Sequence, residues 1–285
     1  MIGLFDSGHG GLTIFSALQA RFPARSFLYL GDHANVPYGN RPSEQVVALT
    51  RAGVEQLFSR NCRLVLLACN TATAVALRQL QQHWLPHSPW RAKGHNVVGI
   101  IAPTVEAATQ TPWAVTHPQY PQKYNTDLIA VLGTSRTVAS GVYPEEIGKR
   151  CPKVEVVQQA SPGLAGAIED GAADGELDRL VADCVEKLML QTHGRAPHRA
   201  ILGCTHYPLV QHLFARHLPK STRILSQPEI VADSLEDYLA RHPEFGEGVG
   251  ATIGSQLLTT GDAARVRATA RLFMDASLGF ERISR

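Results

Sequence analysis

Short, continuous runs of apolar residues, each followed by a segment with helical periodicity, recur along the chain and constrain its fold more than any other feature. The runs are rich in leucine and β-branched residues and do not alternate with polar residues, which is typical of parallel strands covered on both faces. Strand and helix patterns that alternate in this way predict an α/β fold with mainly parallel sheets. The predicted strands are Ile2–Phe5, Phe27–Leu30, Leu64–Ala68, Val97–Ile101, Leu128–Leu132, Val154–Val157 and Ala200–Leu202.

Amphipathic segments between these runs predict the covering helices. Ser43–Arg60 follows a proline and begins with serine, a frequent cap residue, and Ala173–Gln191 carries leucine and valine along one face. By contrast, Thr111–Thr126 contains three prolines and no periodicity. We therefore expect this stretch to be a surface loop.

Composition excludes several classes of function. The 285 residues include 27 basic and 25 acidic side chains, so the charge gives no reason to expect nucleic acid or an anionic membrane as a partner. No apolar run approaches the roughly 20 residues of a membrane helix, and no signal peptide is apparent. Five scattered cysteines without a secretion signal are expected to be reduced thiols in the cytoplasm.

A strand-and-loop pattern occurs twice. In the first half one strand leads into Asp6-Ser7-Gly8 and a later strand leads into Cys69; in the second half the corresponding loops are Gly133-Thr134-Ser135 and Cys204. Ligands of open α/β sheets bind beyond the carboxyl ends of the strands, where all four loops fall. The repeat therefore predicts two similar halves with a site at their junction.

The domain prediction follows from this repeat. We expect two pseudo-symmetric, doubly wound domains of the flavodoxin-like kind, with mainly parallel sheets and the active site at their interface. One domain is predicted to comprise residues 1–98 and 208–285, and the other residues 99–207.

The first cysteine motif is Ala68-Cys69-Asn70-Thr71-Ala72, which precedes a predicted helix running to about Gln82. A thiol at a helix N-terminus is expected to have a lowered pKa, because the partial positive charge there favours the thiolate. Asn70 and Thr71 add donors for an anion. Taken alone, the motif also fits a buried, inert cysteine.

The second motif is Gly203-Cys204-Thr205-His206-Tyr207-Pro208. His206 is close enough in sequence to polarise the Cys204 thiol or to accept its proton. The histidine also fits a capping or core role. Cys204 and His206 as metal ligands are a weaker alternative, because the chain lacks the paired C-x-x-C spacing of most zinc sites. We expect no metal.

The loop Asp6-Ser7-Gly8-His9-Gly10-Gly11 follows the first strand. Its glycines allow the backbone to approach a ligand, and Asp6 could accept a proton from a neighbouring thiol. The loop also resembles the start of a dinucleotide-binding motif, with Asp32 as the ribose ligand. Thr13 stands at the third glycine position, however, and Asp6 would repel pyrophosphate. The loop is therefore a weak candidate for binding a dinucleotide.

Together these motifs resemble those of the glutamate racemases, in the aspartate/glutamate racemase superfamily. The resemblance runs in the family's order from residue 2 to about residue 262. Aspartate racemases differ, since they tend to carry Gly-Gly after the first strand and Glu two residues after the second cysteine. The matching stretches are the loop from Asp6, Val36-Pro37-Tyr38-Gly39, both cysteine motifs and, more weakly, Gly133-Thr134 with Ser140-Gly141 and Thr259-Thr260-Gly261-Asp262.

The resemblance implies a cofactor-independent isomerase that interconverts L-glutamate and D-glutamate and supplies D-glutamate for peptidoglycan. It implies that Cys69, with Asp6 nearby, exchanges the α-proton of D-glutamate, and that Cys204, helped by His206, exchanges that of L-glutamate. Positions matching those that hold the substrate are Ser7, Tyr38, Gly39, Asn70, Thr71, Thr134 and Thr205. Positions matching the acids placed around the site are Asp32 and Glu169.

Two opposed thiols suit this chemistry. Racemisation removes a proton from one face of the α-carbon and returns one to the other, so at any moment one cysteine must be thiolate and the other thiol. The α-proton is very weakly acidic, so donors on the α-carboxylate must stabilise the carbanion in a cleft that excludes water.

The chain departs from the family pattern at His9, His33, Asn35 and Ser161, and Thr111–Thr126 resembles an insertion. The first strand begins at Ile2, so we expect no activation by a muramoyl precursor of the kind that uses an N-terminal extension. A homodimer is compatible with the sequence. Two other functions stay open: a related racemase or isomerase for another amino acid, and a non-catalytic homologue that binds a partner.

Overall fold

The computed structural model describes residues 1–122, 126–246, 254–275 and 279–283, so residues 123–125 of the predicted loop lie outside the described residues. Within these ranges no helix is both long and apolar enough to cross a bilayer. The strands are β1 Ile2–Asp6, β2 Phe27–Gly31, β3 Leu64–Leu67, β4 Asn96–Gly99, β5 Leu128–Gly133, β6 Glu155–Ala160, β7 Arg199–Gly203, β8 Arg223–Leu225, β9 Gln256–Thr259 and β10 Phe280–Arg282. The helices are α1 Leu12–Arg21, α2 Ser43–Ser59, α3 Asn70–Gln79, α4 Pro89–Ala92, α5 Ile101–Thr109, α6 Ser135–Ala139, α7 Val142–Arg150, α8 Leu164–Glu169, α9 Asp174–Gln191, α10 Gln211–His217, α11 Gln227–Arg241 and α12 Ala263–Ala270.

The described strands form two sheets with one shared topology. The first sheet has the order β10-β9-β2-β1-β3-β4 and the second the order β6-β5-β7-β8. The run β2-β1-β3-β4 of the first sheet corresponds to the run β6-β5-β7-β8 of the second. The pairings between described strands are parallel in both sheets. Two doubly wound α/β halves, as predicted from the repeat, are therefore confirmed.

The central strands are covered on both faces, which explains their unbroken apolar sequence. Along β1, Ile2 and Leu4 pack into the core that contains α1, whereas Phe5 packs on the other side into the core that contains α2. The approach of α2 to the sheet requires Gly53, because a Cβ there would lie 2.1 Å from the Phe5 ring. A strand buried in this way has no solvent face on which polar residues would alternate.

The boundary between the two sheets lies later in the chain than the predicted division at residues 207 and 208. β8 lies beyond that division, yet it pairs with β7, and Ile201 is aligned with Leu225. β8 has only three residues and begins with an arginine, so it leaves no apolar run in the sequence. A boundary between the sheets therefore falls after Leu225.

The loop predicted from prolines contains only turns over its described part, Thr111–Gln122. It is held to the second sheet's helices by Arg150, which donates from Nη2 to the Trp113 carbonyl at 2.6 Å and lies 4.2 Å from the Trp113 ring centre. Gln122 donates in turn to the Arg150 carbonyl at 3.2 Å. The described part of the segment is therefore packed against α7.

Candidate active site

The predicted site residues gather where the carboxyl ends of the two sheets face each other. Parallel strands bring the residues at their carboxyl ends to one edge of each sheet, and both edges border the same junction. The two halves touch there through hydroxyls, with Thr71 Oγ1 lying 3.0 Å from Thr134 Oγ1. The residues at or just beyond strand ends are Asp6, Asp32, Cys69, Thr134 and Cys204.

Cys69 caps the N-terminus of α3, as its motif predicts. Its sulfur accepts a hydrogen bond from the Ala72 backbone N–H at 3.4 Å and lies 3.4 Å from Ser7 Oγ. The residue is buried, with 6% of its surface exposed. Placement of this thiol at a helix N-terminus is confirmed.

The expected lowering of the Cys69 pKa is wrong. Burial is the main influence, and together with the negative charge of Asp6 it raises the pKa of the thiol to about 12. The contacts from Ser7 and Ala72 act in the opposite direction but are weaker. A helix terminus offers only about half a charge, whereas burial removes hydration from the thiolate and Asp6 contributes a full like charge.

Asp6 presents one free oxygen to this site. Its Oδ2 accepts hydrogen bonds from the backbone of Gly8 and Gly11, both at 3.0 Å, and from the Tyr29 hydroxyl at 3.2 Å. Within the described residues its Oδ1 is buried and without a hydrogen-bond partner. Burial raises the pKa of Asp6, against the hydrogen bond from Gly11 and the charge of His206. Asp6 is thus held rigidly by one oxygen while the other can accept a proton.

Cys204 belongs to a relay of three side chains, in which Cys204 and His206 are buried and Glu169 is half-buried. Its sulfur lies 3.5 Å from Nδ1 of His206, and Nε2 of His206 lies 2.8 Å from Oε1 of Glu169. The geometry has Nε2–H donating to the carboxylate, which directs Nδ1 toward the sulfur. The sequence predicted the cysteine–histidine pair, and the structure adds Glu169 as the group that orients the ring.

The charges in this relay support one another. Burial disfavours the imidazolium, but Cys204 and Glu169 outweigh it and hold the pKa of His206 well above its ordinary value. Burial likewise opposes ionisation of Glu169, but hydrogen bonds from His206 and His9 hold its pKa well below the ordinary value. Glu169 is therefore a carboxylate that stabilises a proton on His206.

A change of stability with pH follows from this pair. The lowered pKa of Glu169 contributes stability above pH 4.5, and the raised pKa of His206 contributes fully below pH 6.5 and less as the pH rises further. We expect Glu169→Gln to lower the free energy of unfolding by about 2 kcal/mol between these pH values, because it removes hydrogen bonds to a charged group. The Tm should fall by several degrees, and the loss should be smaller at pH 9. Thermal unfolding across pH measures this. Glu155→Gln, at an exposed pair with Arg195, is the control, and an equal Tm loss at all pH values would contradict the pairing.

Asp32 holds the side chain of Tyr38 in place. The Tyr38 hydroxyl donates to Asp32 Oδ2 at 2.7 Å, and Asn35 and Thr260 also donate to this carboxylate. Gly39 follows directly, and a Cβ on it would lie 3.2 Å from Cβ of Thr134. The Val36-Pro37-Tyr38-Gly39 turn therefore lies against the second half of the molecule.

The Asn70 side chain is engaged elsewhere than its motif suggests. Its Oδ1 accepts from the Tyr143 hydroxyl at 2.8 Å, and its Nδ2 donates to Gln227 Oε1 at 2.5 Å. Gln227 Nε2 also donates to Thr104 Oγ1 at 2.8 Å. This buried network joins α3 to α5, α7 and α11. Nothing in the local sequence of Tyr143 or Gln227 marks either residue as part of the site.

Further threonines complete the junction. Thr134 caps α6, and its Oγ1 lies 3.0 Å from Thr137 Oγ1, which also lies 3.3 Å from Thr71 Oγ1. Thr13 Oγ1 donates to the Thr205 carbonyl at 3.0 Å. Thr13 and Thr137 were missed, although the one-turn spacing of Thr137 from Thr134 is a signal that could have identified it.

The glycines after β1 serve contacts within the protein. A Cβ on Gly10 would lie 2.5 Å from both Nδ1 of His206 and Oγ1 of Thr205, and a Cβ on Gly8 would lie 2.9 Å from Glu169 Oε1. The space that a dinucleotide loop would give to pyrophosphate is filled by the second half of the molecule. In the part of the chain described, no three His, Cys, Asp or Glu side chains converge as a metal site requires.

Comparison with known proteins identifies a family that this chain matches. Residues 13–234 match the Asp/Glu/Hydantoin racemase family. A glutamate racemase of Caulobacter sp. (strain K31) is 48% identical over 282 residues, which cover 98% of this chain and 99% of that protein. The crystal structure of a glutamate racemase isoform from Bacillus anthracis has a TM-score of 0.81 at 26% identity and covers 100% of this chain and 97% of its own.

A second solved structure has the same fold. The glutamate racemase of Francisella tularensis, solved in complex with D-glutamate, has a TM-score of 0.82 at 22% identity. The alignment covers 99% of this chain and 97% of that one.

Proposed function

The chain belongs to the Asp/Glu/hydantoin racemase family and, within it, to the glutamate racemases; on this basis we propose that Cys69 and Cys204 exchange the α-proton of glutamate from opposite faces, without a cofactor. The observation that carries this proposal is that each buried cysteine has its own ionisable partner. Asp6 lies at Cys69, and His206 lies at Cys204. The charge of Cys204 also contributes to the raised pKa of Cys69, which supports placing the two thiols at one site.

In the proposed reaction from D-glutamate, the Cys69 thiolate takes the α-proton. The C–H bond breaks, an S–H bond forms, and the electron pair stays on the α-carbon, delocalised into the α-carboxylate. Cys204 then donates its thiol proton to the opposite face and becomes the thiolate. The reaction from L-glutamate runs through the same steps in reverse, so a cysteine that acts as base in one direction acts as acid in the other.

Each thiolate needs a local proton acceptor, because burial disfavours a charged sulfur. For Cys69 the acceptor is the free Oδ1 of Asp6, and the α-ammonium of the substrate adds positive charge nearby. For Cys204 the acceptor is Nδ1 of His206, whose imidazolium is stabilised by Glu169. In this proposal a carboxylate accepts the thiol proton on the Cys69 side, and a histidine accepts it on the Cys204 side.

The substrate is proposed to lie between the two halves, held by its carboxylates and ammonium. The N-termini of α3 and α6, each facing the junction, supply backbone N–H groups for carboxylate oxygens. The D-glutamate complex of the Francisella tularensis protein has the same fold. The residues proposed to hold the substrate are Ser7, Tyr38, Gly39, Thr71, Thr134 and Thr205, together with Asn70 through its backbone N–H, since its side chain is engaged by Tyr143 and Gln227.

The purified protein without added cofactor is expected to bring both L-glutamate and D-glutamate to zero circular dichroism while leaving L-aspartate unchanged. In D2O the product should carry one α-deuteron, because the donated proton comes from a thiol that exchanges with solvent. Growth of a D-glutamate auxotroph that expresses the chain would support the further proposal that the product enters peptidoglycan in the cytoplasm. Turnover of another amino acid in place of glutamate would overturn the substrate, and no turnover would favour a non-catalytic homologue.

A further inference from the structure

We propose that His9 is a positioning residue for the Cys204 side of the reaction, which holds the Glu169 carboxylate in place beneath His206. The inference rests on the two-thiol mechanism proposed above. His9 is one of the positions at which the chain departs from the family pattern, and that mechanism assigns it no role.

The first observation is that His9 and His206 share one carboxylate oxygen. Oε1 of Glu169 lies 2.8 Å from Nε2 of His206, 3.3 Å from Nδ1 of His9 and 3.2 Å from the His9 backbone nitrogen, which donates to it. Three donors thus converge on the oxygen that orients His206. Two of the three come from residue 9, which lies in the other half of the molecule.

The second observation is that the His9 ring is fixed on its far side. Its Nε2 lies 3.1 Å from the carbonyl oxygen of Val266 in α12, and its ring stacks on Phe273 with centroids 5.7 Å apart. Phe273 also meets the His206 ring edge-on at 5.4 Å. Both nitrogens of the His9 ring therefore face acceptor oxygens, one on Glu169 and one on Val266.

The third observation concerns the neighbouring ring of His33, whose centroid lies 4.3 Å from that of His9. Burial, and then the charge of His9, lower the pKa of His33 to about 3, so this ring is neutral. Its Nδ1 lies 3.0 Å from the Gly31 carbonyl oxygen. The titratable groups that interact electrostatically with Glu169 are His9, His206, His33, Asp6 and Tyr29.

These contacts place Glu169 between two histidines and attach it to α12. A carboxylate held by His206 alone could rotate about its side-chain bonds, and Nδ1 of His206 would then lose its direction toward Cys204. The contact between His9 and Glu169 joins the two halves of the molecule, because His9 follows β1 and Glu169 ends α8. The hydrogen bonds that run from Glu169 through His206 to Cys204 therefore depend on this contact. Small displacements at a reacting group cost large factors in rate.

The test uses His9→Phe, which keeps a ring against Phe273 but has no nitrogen, and His9→Gln, whose amide can donate to Glu169. We expect His9→Phe to lower kcat/KM roughly tenfold, equally in both directions because enantiomers have equal free energy. The primary isotope effect should rise with L-[2-²H]glutamate and fall with D-[2-²H]glutamate, since only the Cys204 step is slowed. His9→Gln should restore part of the rate.

His217→Leu is the matched control, because His217 pairs with Asp178 at 2.9 Å at the surface. It should leave the rate and both isotope effects unchanged. Wild-type kcat/KM in His9→Phe, or isotope effects that change alike for both enantiomers, would overturn the positioning role. If the phenylalanine variant fails to fold, His9→Gln gives the same decision: it must raise the isotope effect with L-[2-²H]glutamate and lower that with D-[2-²H]glutamate, or the proposal is overturned.

Cys204→Ser, assayed in parallel, separates this proposal from the mechanism beneath it. An inactive Cys204→Ser with an unaffected His9→Phe removes the role of His9 and leaves the two-thiol mechanism standing. An active Cys204→Ser removes the mechanism itself.

Discussion

Cys69→Ala and Cys204→Ala are each expected to lower kcat/KM for glutamate racemisation by roughly 10⁴-fold or more. Each cysteine is the proposed proton carrier on its face of the α-carbon, and both lie buried, with 6% and 5% of their surfaces exposed. Water therefore has little access to the position of either sulfur and would be a poor substitute for the thiol as a proton carrier. Circular dichroism with each enantiomer measures the loss.

Deuterium exchange in D2O assigns the faces. Cys204→Ala retains Cys69, so it should exchange the α-proton of D-glutamate without inverting it and should leave L-glutamate unlabelled. Cys69→Ala should show the opposite pattern. Cys184→Ala is the matched control, because Cys184 is equally buried but lies in α9, where burial raises the pKa of its thiol to about 11. Racemisation that survives either site substitution would contradict the assignment.

Asp6→Asn is expected to lower kcat roughly 10²- to 10³-fold, because it removes a general base. The asparagine oxygen can still accept from Gly8, Gly11 and Tyr29, so the loop should keep its shape. The lost group is the free Oδ1 that would receive the proton of Cys69. The isotope effect with D-[2-²H]glutamate should rise, on the opposite side of the reaction from that expected for His9.

Asp6→Asn should also make the Cys69 thiol more reactive toward an alkylating agent, although the same substitution slows racemisation. The charge of Asp6 is one of the causes that raise the pKa of this thiol. Its removal should speed alkylation of Cys69 by iodoacetamide, measured by peptide mass spectrometry, while racemisation slows. Asp32→Asn, at a buried acid bound by Tyr38, should not speed alkylation. Unchanged alkylation together with unchanged turnover would show that Asp6 does not act on Cys69.

Much of the fold could be predicted because burial on both faces leaves a clear record in sequence. β1, β3, β5 and β7 are continuous apolar runs, and the structure places strands at each of them. β8 and β10 have three residues each, with arginine and glutamate among them, so burial leaves little trace there. A short edge strand owes its place to pairing with its neighbour rather than to its own composition.

The site was partly predictable for a related reason. Cysteines at strand ends are recognisable in sequence, and the distance from Cys204 to His206 is short in the chain as well as in space. The sign of the Cys69 pKa shift was not predictable, because it depends on burial and on Asp6, whose proximity is created only by the sheet. Glu169 and His9 are 160 residues apart, and their contact has no local signal.

The order of strands in the first sheet has a consequence for biosynthesis. The second sheet has all four strands once the ribosome has released Leu225, whereas the first still lacks β9 and β10. β9 is the neighbour of β2, so an early intermediate must leave that edge uncovered while translation continues. Thr260, Val266 and Phe273, which hold Asp32 and His9, are also made last. A nascent chain that already carries both cysteines therefore still lacks the residues that hold Asp32 and His9.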